Sequence, residues 1–86
     1  MTFDQMHALA LRMKQDLPAG SSTADLFRRG TDAIGKKLVE EAAESWMAAK
    51  FQKKEDVSLE LSQVLYYVAC MMAEKGLTLE EVYAKL

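Results

Sequence analysis

Glu41 and Glu44 stand three residues apart in the run KKLVEEAAESWMAAK, and Asp56, Glu60, Gln63 and Tyr67 follow at spacings of four, three and four. On a helix, residues three and four apart share a face. Each set therefore forms a stripe of oxygen-bearing side chains along one helix. If the two helices lie antiparallel, Glu41 and Glu44 come opposite Glu60 and Gln63. Carboxylates packed that closely repel, and they hold each other's pKa up unless a cation sits among them. Hard oxygen donors without Cys or His select Mg²⁺, with Mn²⁺ as the alternative, over zinc. Mg²⁺ keeps several waters and completes its shell with phosphate oxygens, so this chemistry points to phosphoanhydride cleavage. The plainer reading is that Glu41, Glu44 and Glu60 belong to solvated faces and pair with Lys36, Lys37 or Lys50. Spacing alone leaves both readings open.

The elements that would position these groups are all helical. Phe3, Met6, Leu9, Ala10, Met13 and Leu17 recur at helical spacing, which predicts a first helix over residues 3–17. Pro18-Ala19-Gly20-Ser21-Ser22 is turn-rich, and Thr23 is the expected N-cap of a short helix ending at Gly30. A long helix is predicted from Thr31 to Phe51, capped by Thr31 or Asp32 and rich in strong helix formers. Residues 51–55 form a connection short enough to require an antiparallel neighbour, predicted from Asp56 to Lys75 with Gly76 as its C′ residue. Thr78 and Glu81 make a capping box for a last short helix. No segment has β-period alternation, and there is no repeat or low-complexity tract. The fold class read from this pattern is all-α, an antiparallel helical bundle of four to five helices.

On the central helix, Leu38, Val39, Ala42, Ala43, Trp46 and Met47 spread over an arc of about 180° at roughly 100° per residue. That is wider than the stripe of an ordinary surface helix, so this helix is expected to be largely surrounded by protein. Two long helices with wide apolar faces in 86 residues predict a homodimer that completes the bundle. The chain reads as one domain, residues 1–86. Its net charge of −2, from 13 acidic and 11 basic residues, supplies no basic field for nucleic acid. The apolar run Val64–Ala73 is too short to span a bilayer, and the N-terminus lacks the plan of a signal peptide. A lone cysteine, Cys70, fits a reducing compartment. The expected setting is cytoplasmic, without membrane or nucleic-acid partners.

The string Ser22-Thr23-Ala24-x-Leu26-x-x-x-Gly30-x-x-x-Ile34-x-x-Lys37-x-x-Glu40-Glu41-x-x-Glu44, followed by Glu60-x-Ser62-Gln63-x-x-Tyr66, resembles the phosphoribosyl-ATP pyrophosphohydrolase family. That family belongs to the all-α nucleotide pyrophosphohydrolase superfamily, with the MazG and dimeric dUTPase groups. The likeness covers nearly the whole chain, including Gly76-Leu77-Thr78-Leu79-x-x-Val82. It implies Mg²⁺-dependent hydrolysis of phosphoribosyl-ATP to phosphoribosyl-AMP and pyrophosphate, the second step of histidine biosynthesis. Carried across, it makes Glu41, Glu44 and Glu60 metal ligands, with Gln63 at a position that is usually Asp. Tyr67 stands where many members have His. An amide ligates through oxygen but brings no charge. In such a site Glu40 or Glu44 is the candidate general base, and Lys37 is placed to neutralise phosphate charge. Arg28, Arg29 and Lys36 are further phosphate contacts, and Ser22 and Thr23 are donors at a helix start. Two rival functions are a MazG-like house-cleaning enzyme acting on nucleoside triphosphates and a non-catalytic helical dimerisation module. His7, without metal-spaced partners, reads as a packing or surface residue. Cys70, in an apolar run, reads as a core thiol. Met71, Met72 and Trp46 read as core or dimer-interface fillers.

Overall fold

Thr2 opens the first helix with a capping box. Its hydroxyl accepts the Gln5 N–H at 3.1 Å, and its own N–H donates to the Gln5 side chain at 2.8 Å. A computed structural model describes residues 1–86 as five helices and no strand: α1 (Phe3–Asp16), α2 (Ser22–Arg29), α3 (Thr31–Phe51), α4 (Lys54–Lys75) and α5 (Leu79–Tyr83). The all-α expectation holds, and the element boundaries shift for identifiable reasons. Leu17, expected inside α1, is its C-cap in the left-handed region at φ 44°. Its N–H closes on the Met13 carbonyl, and Pro18 follows.

Three capping expectations need correction. Ser21, not Thr23, caps α2, accepting the Ala24 N–H at 3.1 Å; Thr23 is buried inside that helix, its hydroxyl bonded to the Tyr66 hydroxyl of α4. Neither Thr31 nor Asp32 caps α3. Gly30 alone separates α2 from α3, at φ 96°, where no side-chain cap forms, and the Thr31 hydroxyl donates instead to Glu74 at 2.9 Å. Helix α4 begins two residues before Asp56, whose carboxylate serves as the N3 side of a cap and accepts the Lys53 N–H at 3.2 Å. Gly76 takes the left-handed position at φ 67°, and Thr78 with Glu81 forms the expected capping box.

The two long helices form an antiparallel hairpin. Helix α1 packs on α4, and α2 packs on α3 and α1. The core is small-residue-rich: Ala10, Phe27, Ile34, Ala69, Cys70 and Ala73, ringed by Phe3, Met6, Met13, Leu17, Leu26, Tyr66, Tyr67 and Met71. Alanines on α1 and α4 let those helices approach closely. His7 is buried here, its Nε2 3.1 Å from the Leu77 carbonyl, and therefore packs as expected. All of these side chains come from α1, α2, the start of α3 and the second half of α4. Beyond Glu41, the rest of α3 buries only Ser45 and Ala48. Trp46, Met47 and Phe51 of α3 and Leu59, Leu61 and Leu65 of α4 are exposed, Trp46 and Phe51 by 71% and 74%, and Val39 is exposed nearer the packed end, beside Met71. Within one chain, the expectation that protein surrounds the apolar arc of α3 is therefore not met. Of the expected fillers, Met72 is buried, Met71 half-buried and Trp46 exposed.

Candidate active site between the long helices

The hairpin turns the two acidic stripes towards one another midway along its length. Carboxylate oxygens of Glu41, Glu44 and Glu60 all lie within 4.8 Å of one another. Glu41 is buried, Glu60 half-buried and Glu44 exposed, so the cluster opens to solvent on the Glu44 side. A buried carboxylate requires a partner. Glu41 has one in Lys37, a turn earlier on α3, whose Nζ stands 3.4 Å from Glu41 Oε1. Beneath it, the buried Ser45 hydroxyl donates to the Glu41 backbone carbonyl at 2.8 Å, so no polar atom there is left unpaired.

The electrostatics follow from this crowding. A hydrogen bond shared with Glu60, and then the Glu41 charge, hold the Glu44 carboxyl above the usual carboxylate range. The Lys37 ammonium is pushed up, first by its hydrogen bond to Glu41. These are the signs of an oxygen cluster short of positive charge. Three carboxylates within reach of a single point, with no nitrogen or sulfur donor among them, suit a hard divalent cation.

Lys37 also lines a pocket of about 480 Å³ with Ser22, Asp25, Leu26, Arg29 and Tyr67. The pocket therefore adjoins the carboxylates through one side chain shared by both. Ser22, Asp25, Leu26 and Arg29 are one face of α2, and the crossing of α2 over α3 aims that face at Lys37. With the Asp25 carboxylate paired to Arg28 at 2.7 Å, the Lys37 and Arg29 cations and the Ser22 hydroxyl suit an anionic group. Arg28 points elsewhere, pairing with Asp25 at 2.7 Å and donating to the Leu17 carbonyl, which ties α2 to the end of α1. The Thr23 hydroxyl is bonded to Tyr66. Lys36 and Glu40 line a separate open depression with Thr31, Asp32, Gly35, Val39 and Met71, although Glu40 Oε2 comes within 3.9 Å of Lys37 Nζ. Gln63 is half-buried on α4, one turn after Glu60.

Of the residues expected to act together, the structure gathers Glu41, Glu44, Glu60 and Lys37, with Ser22 and Arg29 across the pocket. It does not bring Lys36, Arg28 or the Thr23 hydroxyl to that pocket. Asp25 and Leu26 are pocket residues that the sequence reading passed over. The spacing of Ser22, Asp25, Leu26 and Arg29 marks one helix face and was available as a signal. What that face meets depends on the single-residue joint at Gly30.

An all-α hairpin presenting an oxygen-only trio beside a cationic pocket defines a class of helical enzymes suited to phosphoanhydride chemistry. The family described as Phosphoribosyl-ATP pyrophosphohydrolase matches residues 3–86. A "Phosphoribosyl-ATP pyrophosphatase" of Streptomyces coelicolor is 54% identical over 69 residues, covering 80% of this chain and 77% of that protein. One of the same description from Bifidobacterium adolescentis is 40% identical over 85 residues, covering 99% and 98%. The chain belongs to the phosphoribosyl-ATP pyrophosphohydrolase family. Membership separates it from the house-cleaning enzymes and from a non-catalytic helical module. No helix is long and apolar enough to cross a membrane.

Proposed function

We propose that the reaction is carried out at the Glu41–Glu44–Glu60 trio, with the adjoining pocket holding substrate phosphate. The chain hydrolyses phosphoribosyl-ATP to phosphoribosyl-AMP and pyrophosphate, in histidine biosynthesis. The observation that carries the site assignment is the convergence of the three carboxylates within 4.8 Å, one of them buried. Glu41, Glu44 and Glu60 would hold Mg²⁺, with Mn²⁺ as a substitute and the Gln63 amide as a neutral fourth oxygen. When bound, the ion supplies charge neutralisation and polarisation of the phosphoanhydride.

The chain's own groups do the rest. A water oxygen forms a bond to the α-phosphorus as the bond from that phosphorus to the bridging oxygen breaks, and pyrophosphate leaves with the bonding pair. Glu44, the carboxylate on the solvent-open side of the trio, takes the proton of that water. Glu40 is the weaker candidate for this task, since it faces the other depression. Lys37 and Arg29 offset phosphate charge, and Ser22 offers a hydroxyl donor. Lys36 and Arg28 remain outside this arrangement. Assaying pyrophosphate release from phosphoribosyl-ATP in EDTA and in Mg²⁺, with E41Q and E60Q beside the wild type, tests the reading. Loss of Mg²⁺-dependent turnover with helicity intact supports it; near-normal turnover in either variant overturns the ligand assignment.

The exposed apolar side chains of the hairpin support a second proposal, a homodimer. Trp46, Met47, Phe51, Leu59, Leu61 and Leu65 are large apolar side chains left exposed on these two facing helices, the kind of apolar belt that marks an interaction surface. A second hairpin laid against it completes a four-helix bundle and covers the arc of α3. A monomer in sedimentation at micromolar concentration would overturn this arrangement.

A further inference from the structure

Lys37 is drawn two ways. Its Nζ stands 3.4 Å from Glu41 and 5.7 Å from the centroid of the Tyr67 ring, which it overlies. Both Lys37 and Tyr67 line the pocket. Tyr67 is itself held. Its ring meets Tyr66 edge-on, centroids 5.2 Å apart and planes at 77°, and the Tyr66 hydroxyl is bonded to the buried Thr23 of α2. An unbroken run of contacts thus joins α2, through Thr23, Tyr66, Tyr67 and Lys37, to Glu41. A lysine stem has four rotatable carbons and a compact charge, so it needs support to keep one position. Attraction to Glu41 alone would draw the ammonium onto the carboxylate and away from the pocket.

We propose that Tyr67 is a positioning residue, whose ring face holds the Lys37 ammonium on the wall shared by the pocket and Glu41, where it meets substrate phosphate. The inference rests on the reading of Lys37 as a phosphate contact. What Tyr67 contributes is its π face, not its hydroxyl. At a half-exposed site such a contact changes an equilibrium by about two- to fivefold. Because the phosphate is held in ground and transition states alike, the change falls on KM and not on kcat.

Steady-state hydrolysis of phosphoribosyl-ATP by the purified chain tests this with Y67F, Y67L, K37M and the Y67L/K37M double variant. K37M is expected to raise KM. Y67L should raise KM by about two- to fivefold at unchanged kcat, Y67F, which keeps the ring face, should raise it less than Y67L, and Y67L should add nothing in the K37M background. An equal cost of Y67L with and without Lys37 marks Tyr67 as merely structural and overturns the proposal, as does an unchanged KM in Y67L. If K37M leaves KM unchanged, the reading of Lys37 fails and the role of Tyr67 falls with it. Should Y67L fail to fold, 4-cyanophenylalanine at position 67 keeps the ring's shape while weakening its face. The same rise in KM is then expected, and its absence overturns the proposal.

Discussion

Replacing Glu60 with Gln should reverse its effect on stability according to whether Mg²⁺ is present. In EDTA the wild type holds three carboxylates within 4.8 Å. Two unit charges at that separation repel by about 1 kcal/mol in a water-like medium and about 3.5 kcal/mol at an effective dielectric constant of 20. The cluster opens to solvent on the Glu44 side, so the lower figure applies. E60Q removes one charge while keeping the side chain's shape. It should therefore melt at or a few degrees above the wild type, since about 1 kcal/mol shifts Tm by roughly 4–8 °C in a domain of this size. With Mg²⁺ at about ten times its Kd, binding stabilises the wild type by about 1.4 kcal/mol, enough to raise its Tm by roughly 6–11 °C. E60Q, short of one anionic ligand, should gain little, so the order of the two melting curves exchanges. Paired calorimetric scans at pH 8, in EDTA and in millimolar Mg²⁺, measure this. A uniform loss of Tm under both conditions would show that Glu60 is an ordinary packed polar residue, and the argument for a metal centre would fail.

Further outcomes follow from other parts of the chain. Trp46→Glu or Leu65→Glu, each adding charge to the apolar belt, should convert a dimer to monomer in sedimentation while far-UV dichroism keeps its helical shape. Burial pushes the Cys70 thiol up to about 11, so at pH 8 roughly one thiol in a thousand is ionised; a thiol reagent should react only after denaturant is added. Gly76→Ala places a side chain at φ 67° in otherwise open space, so its cost is conformational only, about 1 kcal/mol by denaturant titration. Because the Glu44 carboxyl is held above its ordinary pKa in the folded chain, its contribution to stability is complete below that ordinary pKa and is lost as pH rises from there through the raised one. Protons should also compete with Mg²⁺ there, so calorimetric affinity for Mg²⁺ should weaken as pH is lowered through the same range.

The helices and the acidic trio were legible in the sequence because both depend on local spacing. Glu41 and Glu44 share a face by the geometry of one helix, and the two-residue connection Gln52-Lys53 leaves α4 no choice but to run back along α3. The pocket was less legible because it depends on how α2 crosses α3. Ser22 and Arg29 line the pocket with Lys37, whereas Arg28, adjacent in sequence, is turned about 100° away and pairs with Asp25 and the end of α1. Thr23 shows the same limit. Its type and place fit an N-cap, but Ser21 does that work at the surface, and the Thr23 hydroxyl has an α4 partner that no local pattern announces. Trp46 shows the limit from the other side, since its apolar character is plain in the sequence, yet nothing within the chain covers it.

The trio's place along the hairpin has a physical logic. A carboxylate cluster pushes its two helices apart, so packing elsewhere along the hairpin must hold them together. Ile34, Ala69, Cys70 and Ala73 clamp α3 to α4 on one side of the trio, with the small residues holding the helices close. On the other side, Trp46, Phe51, Leu59 and Leu61 are uncovered and exert no such hold within one chain. Covering that belt should therefore stiffen the site as well as stabilise the fold. The consequence is measurable: dilution below the dissociation constant of the proposed dimer should weaken Mg²⁺ affinity together with helix stability. If Mg²⁺ binds a belt-charged monomer as tightly as it binds the wild type, the site is fully ordered by the dense end of the hairpin alone.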